Sequence, residues 1–190
     1  MTPRRPRPLV LLAAVLALVL AIASACGDTD PAPSADAPSA DAPSEDPTSW
    51  RDIELTDVEG ESFTIAELAG GPVLVENFAT WCSNCLRQLG DTQRAAAEAG
   101  EAATFVALSV ETDLDPAEVR AYAAEHGFDD IRFAVMTPEM LAAMQDAFGT
   151  TALNPPSTPK VVVAEDGTVG ELSTGFESPE EIAAKLTGSG

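Results

Sequence analysis

This chain of 190 residues is poor in metal-binding side chains and in positive charge. It has one histidine and three cysteines. A zinc site built on the neighbouring Cys82 and Cys85 needs two more ligands, and the surrounding region offers no other cysteine and only His126. Lys and Arg total 10 against 31 Asp and Glu, for a formal net charge of -21. A surface of that sign repels phosphate backbones, which excludes nucleic acid as a partner. The acidity reads as solubility. Residues 27–49 have almost nothing apolar to bury, and the block Ala-Asp-Ala-Pro-Ser occurs at 35–39 and again at 40–44. That composition is a tether without a packed core, reaching roughly 24–29 Å as a flexible coil.

What the N-terminus does have is a basic start and one apolar run. Arg4, Arg5 and Arg7 precede an unbroken stretch from Leu9 to Ile22, then Ala23-Ser24-Ala25-Cys26. This order predicts a secretory signal peptide over residues 1–25. Small residues before a cysteine resemble a bacterial lipobox, with Ala23 in place of the usual Leu. Cys26 is then the lipidated first residue of the mature chain and its attachment to the bilayer. Lipidation also caps an otherwise odd cysteine in an exported protein. The other reading is an uncleaved anchor, for which the run is at the short end of the roughly 17–25 residues that span a bilayer. The predicted organisation is signal peptide 1–25, lipidated Cys26 with a tether to residue 49, and one domain over 50–190.

Within that domain, Trp81-Cys82-Ser83-Asn84-Cys85 follows the apolar run Val73–Phe78. A Cys-x-x-Cys pair where a strand hands over to a helix sets Cys82 at the helix N-terminus. Free N–H groups and the dipole there favour thiolate over thiol. Cys85 lies one turn inside, near enough to close a small disulfide with little backbone movement. The pair suits electron exchange, with Cys82 attacking from the exposed end and Cys85 resolving from a buried position.

Three features together resemble the thioredoxin superfamily, in particular its TlpA/ResA-like extracytoplasmic thiol–disulfide oxidoreductases. They are the Trp81–Cys85 motif, the acidic Glu76 six residues before Cys82, and Thr158-Pro159 ahead of Val161-Val162-Val163. The resemblance implies an α/β thioredoxin-like fold, a central mixed sheet flanked by helices. The residue patterns agree: a hairpin of strands Asp52–Leu55 and Ser62–Ile65, strands at 72–78, 103–110 and 131–135, helices at 83–99, from Asp115, from Thr137-Pro138 and from Ser178-Pro179, and a hairpin of 160–164 with 168–173. The strand and helix over 131–148 match an insertion typical of the group, placed before its cis-proline.

The resemblance also assigns roles. Glu76 is the buried proton acceptor for the resolving cysteine; the alternative is that the pleat turns it to solvent. Pro159 carries a cis peptide facing the cysteines and exposes the backbone of Thr158 for pairing with an extended client; Pro155 and Pro156 are rivals for that place, but only Pro159 directly precedes the strand Val161-Val162-Val163. Trp81 lines the client surface, or else is a core aromatic. Gln88 and Gly90 stand where the group often has Glu and Pro, which weakens any link to cytochrome c maturation. Neither Pro nor a cation lies between the cysteines, which leans towards a reductant. No cofactor is implied beyond the redox-active Cys82–Cys85 disulfide. The implied partners are client proteins with thiols or disulfides, and a membrane electron donor to reset a reductant.

Two rival readings are a thiol peroxidase and a metal-handling, copper-binding lipoprotein. Peroxidases of this fold have Thr or Ser three residues before the reactive cysteine, and here that residue is Ala79. Copper modules usually have Cys-x-x-x-Cys and a downstream His. His126 precedes Gly127 and reads as a helix-end residue bonding terminal carbonyls. Met136, Met140 and Met144 share one helical face and read as core.

Overall fold

The computed structural model describes residues 49–68 and 70–188. The strands are β1 (Leu55–Thr56), β2 (Ser62–Phe63), β3 (Val73–Phe78), β4 (Thr104–Ser109), β5 (Arg132–Val135) and β6 (Lys160–Val163), and the helices are α1 (Ser83–Ala99), α2 (Pro116–His126), α3 (Pro138–Phe148) and α4 (Pro179–Leu186). The main sheet has the order β5-β4-β3-β6, with β3, β4 and β5 parallel and β6 antiparallel to β3. The predicted signal peptide, Cys26 and most of the tether lie outside the described residues.

Period-two alternation divides the sheet between two cores. On one face Val73, Val75, Val106, Leu108, Val161 and Val163 pack with the β1–β2 hairpin and with Met136, Met140 and Met144. Met140 and Met144 are buried on α3, as their helical spacing predicts; Met136 is buried too, but it precedes the Thr137 cap and is not part of that helical face. On the other face Leu74, Phe78, Phe105 and Ala107 pack under Leu89 and Ala96 of α1, Val119 of α2 and Ile182 of α4. Every residue of β3 is buried, as expected for a central strand covered on both sides.

Local signals set the helix ends. Asp115 accepts from the N–H of Ala117, and Gly127 closes α2 in the left-handed region at φ 68°. Ser178 and Glu181 form a reciprocal capping box on α4. Among the described residues the His126 side chain bonds no carbonyl; backbone N–H groups of Gly127 and Phe128 cap α2. The His126 ring lies edge-on to Tyr122, with centroids 4.8 Å apart.

Both hairpins are more frayed than the sequence predicts. The first pairs only two residues a side, Leu55 with Phe63 and Thr56 with Ser62. On the edge of β6 away from β3, the expected strand over 168–173 is reduced to the bridges Lys160–Ser173 and Val163–Val169. Gly170 approaches β6 closely there: its N–H bonds the Val162 carbonyl, and a Cβ on it would come within 3.1 Å of that oxygen.

Candidate active site

Cys82 is the N-cap of α1, and its Sγ accepts a hydrogen bond from the Cys85 N–H at 3.1 Å. The two cysteines form a disulfide, with Cα atoms 5.2 Å apart. The first turn of α1 has no acidic residue to oppose a thiolate. Just before it, the N–H and hydroxyl of Thr80 both donate to Glu111 Oε2, at 2.7 and 2.9 Å, which holds the loop leading into Cys82. Cys85 is fully buried, as expected, but Cys82 is also buried at 3% exposure, against the expected exposed thiol. Its side chain folds over the first turn as a capping group, and the disulfide keeps it there. Trp81 is the exposed neighbour, at 65%.

The loop that meets the cysteines is not the one expected. Cys85 Sγ lies 3.2 Å from the carbonyl oxygen of Pro155, and Asn84 Nδ2 donates to the carbonyl of Pro156 at 2.9 Å. Once the disulfide is reduced, that Pro155 oxygen can accept from a Cys85 S–H. No cis peptide occurs among the described residues, so the predicted cis bond at Pro159 is corrected to trans. Trans is the ordinary preference of an X-Pro bond. The chain turns instead at Thr158, in the left-handed region at φ 47°.

Thr158 is not open to a client. It is buried, its N–H donates to Pro155 O at 2.7 Å, its carbonyl accepts from Lys160 Nζ at 2.8 Å, and its hydroxyl donates to Gly175 O at 2.7 Å. The tertiary fold uses the backbone groups that pairing with a client would need. Pro159 is buried too, and its carbonyl accepts from the Asn77 N–H at 3.0 Å, extending the β3–β6 pairing by one residue.

Glu76 takes the buried orientation. It has no exposed surface, and it shares the α1-side face of β3 with Leu74 and Phe78. Its Oε2 accepts from the Thr92 hydroxyl at 2.7 Å, whereas Oε1 has no hydrogen-bond partner among the described residues. Cys85, Gln88 and Thr92 are all buried on α1, at the spacing of one helical face. Glu76 therefore lies beneath the face of α1 that bears Cys85. Burial pushes its carboxyl up to about 7, against the Thr92 hydrogen bond and the Lys160 charge, which both favour the ionised form. A carboxyl poised there can take or return a proton near neutral pH.

The surrounding polar groups escaped the sequence reading. Lys160 is fully buried, and burial pulls its ammonium below the usual lysine range. Glu177 Oε1 accepts from Lys185 Nζ at 2.6 Å and lies 3.9 Å from Lys160 Nζ. The Gln88 amide bonds the backbone of Glu177 at both ends. Burial also pushes the Tyr122 phenol up to about 12, with the Glu76 charge adding to it. One signal could have found Lys160. It is a lone charge opening the apolar run Lys160-Val161-Val162-Val163, as Glu76 is a lone charge in Val-Leu-Val-Glu.

A family profile described as Redoxin matches residues 29–186. Among solved structures, the chain is similar to a secreted Mycobacterium tuberculosis disulfide oxidoreductase homologous to E. coli DsbE, at 19% identity and a TM-score of 0.55, over 73% of this chain and 97% of that one. It is similar to an exposed lipoprotein thioredoxin of Streptococcus pneumoniae, at 20% identity and a TM-score of 0.58, over 72% and 98%. It is also similar to a thiol:disulfide interchange protein of the thioredoxin family from Chlorobium tepidum, at 24% identity and a TM-score of 0.61, over 72% and 92%. At these identities the likeness is one of fold. No curated relative matches the sequence.

Proposed function

The chain belongs to the Redoxin family, within the thioredoxin superfamily, and on that premise we propose that it exchanges protein disulfides outside the cytoplasm, as a reductant tethered by a lipid on Cys26. It is a thiol–disulfide oxidoreductase in which the Cys82–Cys85 pair is the redox group. The observation that carries the reading is the capped disulfide at the start of α1 above a fully buried carboxyl, which burial pushes up to about 7.

In the reducing direction the Cys82 thiolate attacks one sulfur of a client disulfide. A mixed disulfide forms, and the client's other sulfur leaves as a thiolate. Glu76 takes the proton from Cys85. The Cys85 thiolate then attacks Cys82 Sγ, closing the internal disulfide and releasing the client's second thiolate. Two electrons pass to the client, and no cofactor beyond the cysteine pair enters. A dithiol donor at the membrane must return the electrons. Trp81, exposed beside Cys82, is the apolar contact for the client.

Extracytoplasmic placement is supported by the signal-like N-terminus and by structural neighbours described as secreted or exposed. The division into signal peptide, tether and a domain from residue 50 belongs to the same proposal, as does TlpA/ResA-like membership.

The test is trapping and potential together. Cys85→Ser should accumulate a mixed disulfide with a protein disulfide substrate through Cys82, and Cys82→Ser should not. Equal trapping by both variants would reverse or remove the assignment of attack. A Cys82–Cys85 potential near about −270 mV marks a reductant, and one near about −120 mV would make the protein an oxidant.

A further inference from the structure

Lys160 opens β6 directly opposite Glu76 of β3. Opposed residues of an antiparallel pair project from the same face, and Val161 and Val163 pack on the other face. Both side chains are fully buried, so neither charge has solvent to compensate it. Lys160 Nζ donates to the carbonyls of Thr158 and Gly175, each at 2.8 Å. The first carbonyl ends the turn whose Pro155 and Pro156 oxygens meet Cys85 and Asn84. The second precedes Phe176, whose ring lies under the Arg87 guanidinium of α1 at 4.1 Å.

We propose that Lys160 is a positioning residue for disulfide exchange: its ammonium ties together the two loops beside the cysteines and supplies the counter-charge for ionised Glu76. The proposal rests on the thiol–disulfide reading above and adds to it a residue outside the motif.

Charge balance carries the inference. The groups acting on Glu76 are Thr92 and Asp91 from α1, Lys160 from β6 and Glu177 ahead of α4, and Glu76 in turn acts on Tyr122 of α2. Lys185 of α4 acts on Lys160. Glu177 already has Lys185 at 2.6 Å, nearer than Lys160 at 3.9 Å. Among the described residues, the cation acting on Glu76 is Lys160. With Glu76 ionised, the Glu76, Glu177, Lys160 and Lys185 group is neutral; with Glu76 protonated it keeps one uncompensated positive charge. A neutral side chain at 160 could hold the two carbonyls but could not stabilise the carboxylate that accepts the Cys85 proton.

The experiment is a carboxyl carbon-13 NMR titration of the full chain, with the Glu76 signal identified by its loss in Glu76→Gln. Lys160→Gln keeps hydrogen-bond donors and removes the charge. Its Glu76 midpoint should rise from about 7 by about one pH unit or more, since an opposite charge nearby typically lowers a carboxyl by about 1–3 units. Lys160→Arg should stay near wild type. A midpoint in Lys160→Gln that is unchanged or lower overturns the proposal. If that variant does not fold, the Lys160 Cε signal of the wild-type chain decides. It should inflect at the Glu76 midpoint and lose that inflection in Glu76→Gln; no inflection overturns the pairing. These readouts do not require turnover. Failure of wild type to exchange with any protein disulfide would sink the functional reading separately.

Discussion

The Gln88 side chain holds the peptide groups of Glu177 at both ends, Oε1 accepting from the N–H at 2.8 Å and Nε2 donating to the carbonyl at 3.1 Å. This joins α1, one turn past Cys85, to the segment that enters α4. A glutamate at 88 could accept but, when ionised, could not donate. What reads in the sequence as a departure from the family pattern is, in the fold, a two-way amide clamp. Gln88→Ala should cost about 1–3 kcal/mol for each buried group left unpaired, measured as a lower midpoint in denaturant unfolding with an unchanged slope. A loss within about 0.5 kcal/mol would mean that water replaces the clamp.

Stability should fall as pH rises through the Glu76 titration. The folded carboxyl binds its proton up to about 7, above its ordinary value of 4.5. Between those values the folded chain retains a proton that the unfolded chain releases, so the contribution is full below about 4.5 and lost by about 7. That gap is worth about 3 kcal/mol. Unfolding of the oxidised wild type and of Glu76→Gln at pH 5 and pH 8 should show a smaller loss with pH in the variant. Parallel curves would deny the buried carboxyl its role.

Glu76→Gln should leave attack by Cys82 intact and slow resolution by Cys85. General-base assistance is typically worth roughly 100-fold or more, which single-turnover kinetics can resolve. The deficit should be greatest near neutral pH and shrink as Cys85 ionises unaided. A rate equal to wild type from pH 6 to 9 would leave Glu76 no part in the proton transfer.

Trp81→Ala removes an indole that is 65% exposed, so unfolding stability should change by no more than about 0.5 kcal/mol. Exchange with a protein disulfide should weaken about tenfold in kcat/KM, as expected when an aromatic contact is truncated. Exchange with a small-molecule disulfide should change little. An equal effect on both would place the role of Trp81 at the cysteines and not in client contact.

Mass spectrometry of the membrane fraction should find a mature N-terminus at Cys26 carrying acyl mass. Detection of peptides containing Arg4–Arg7 in the mature protein would show an uncleaved N-terminus instead.

Signals that act within a few residues were legible. Asp115 with Pro116, Thr137 with Pro138, and Ser178 with Pro179 mark the starts of their helices, because a side chain bonding an N–H two or three positions on needs no partner from elsewhere. The burial of Met140 and Met144 and the apolar β3 were legible for a similar reason: periodicity reports burial. The turn around Thr158 was not. Three prolines lie between 155 and 159, and which of them faces Cys85 depends on how the segment packs on α1.

The sequence by itself determined the redox pair at a helix start, the central strands, the helix caps and a lone acid in an apolar strand. Each is written in contiguous residues, and the physics that reads it is short-ranged. The tertiary structure decided that Cys82 is buried and that the Thr158 backbone is taken. It alone set Lys160 opposite Glu76 and let Gln88 hold Glu177. Those pairings join residues far apart in the chain through strand order and helix docking. Only once the folded core removes solvent must each buried charge and amide find its partner there.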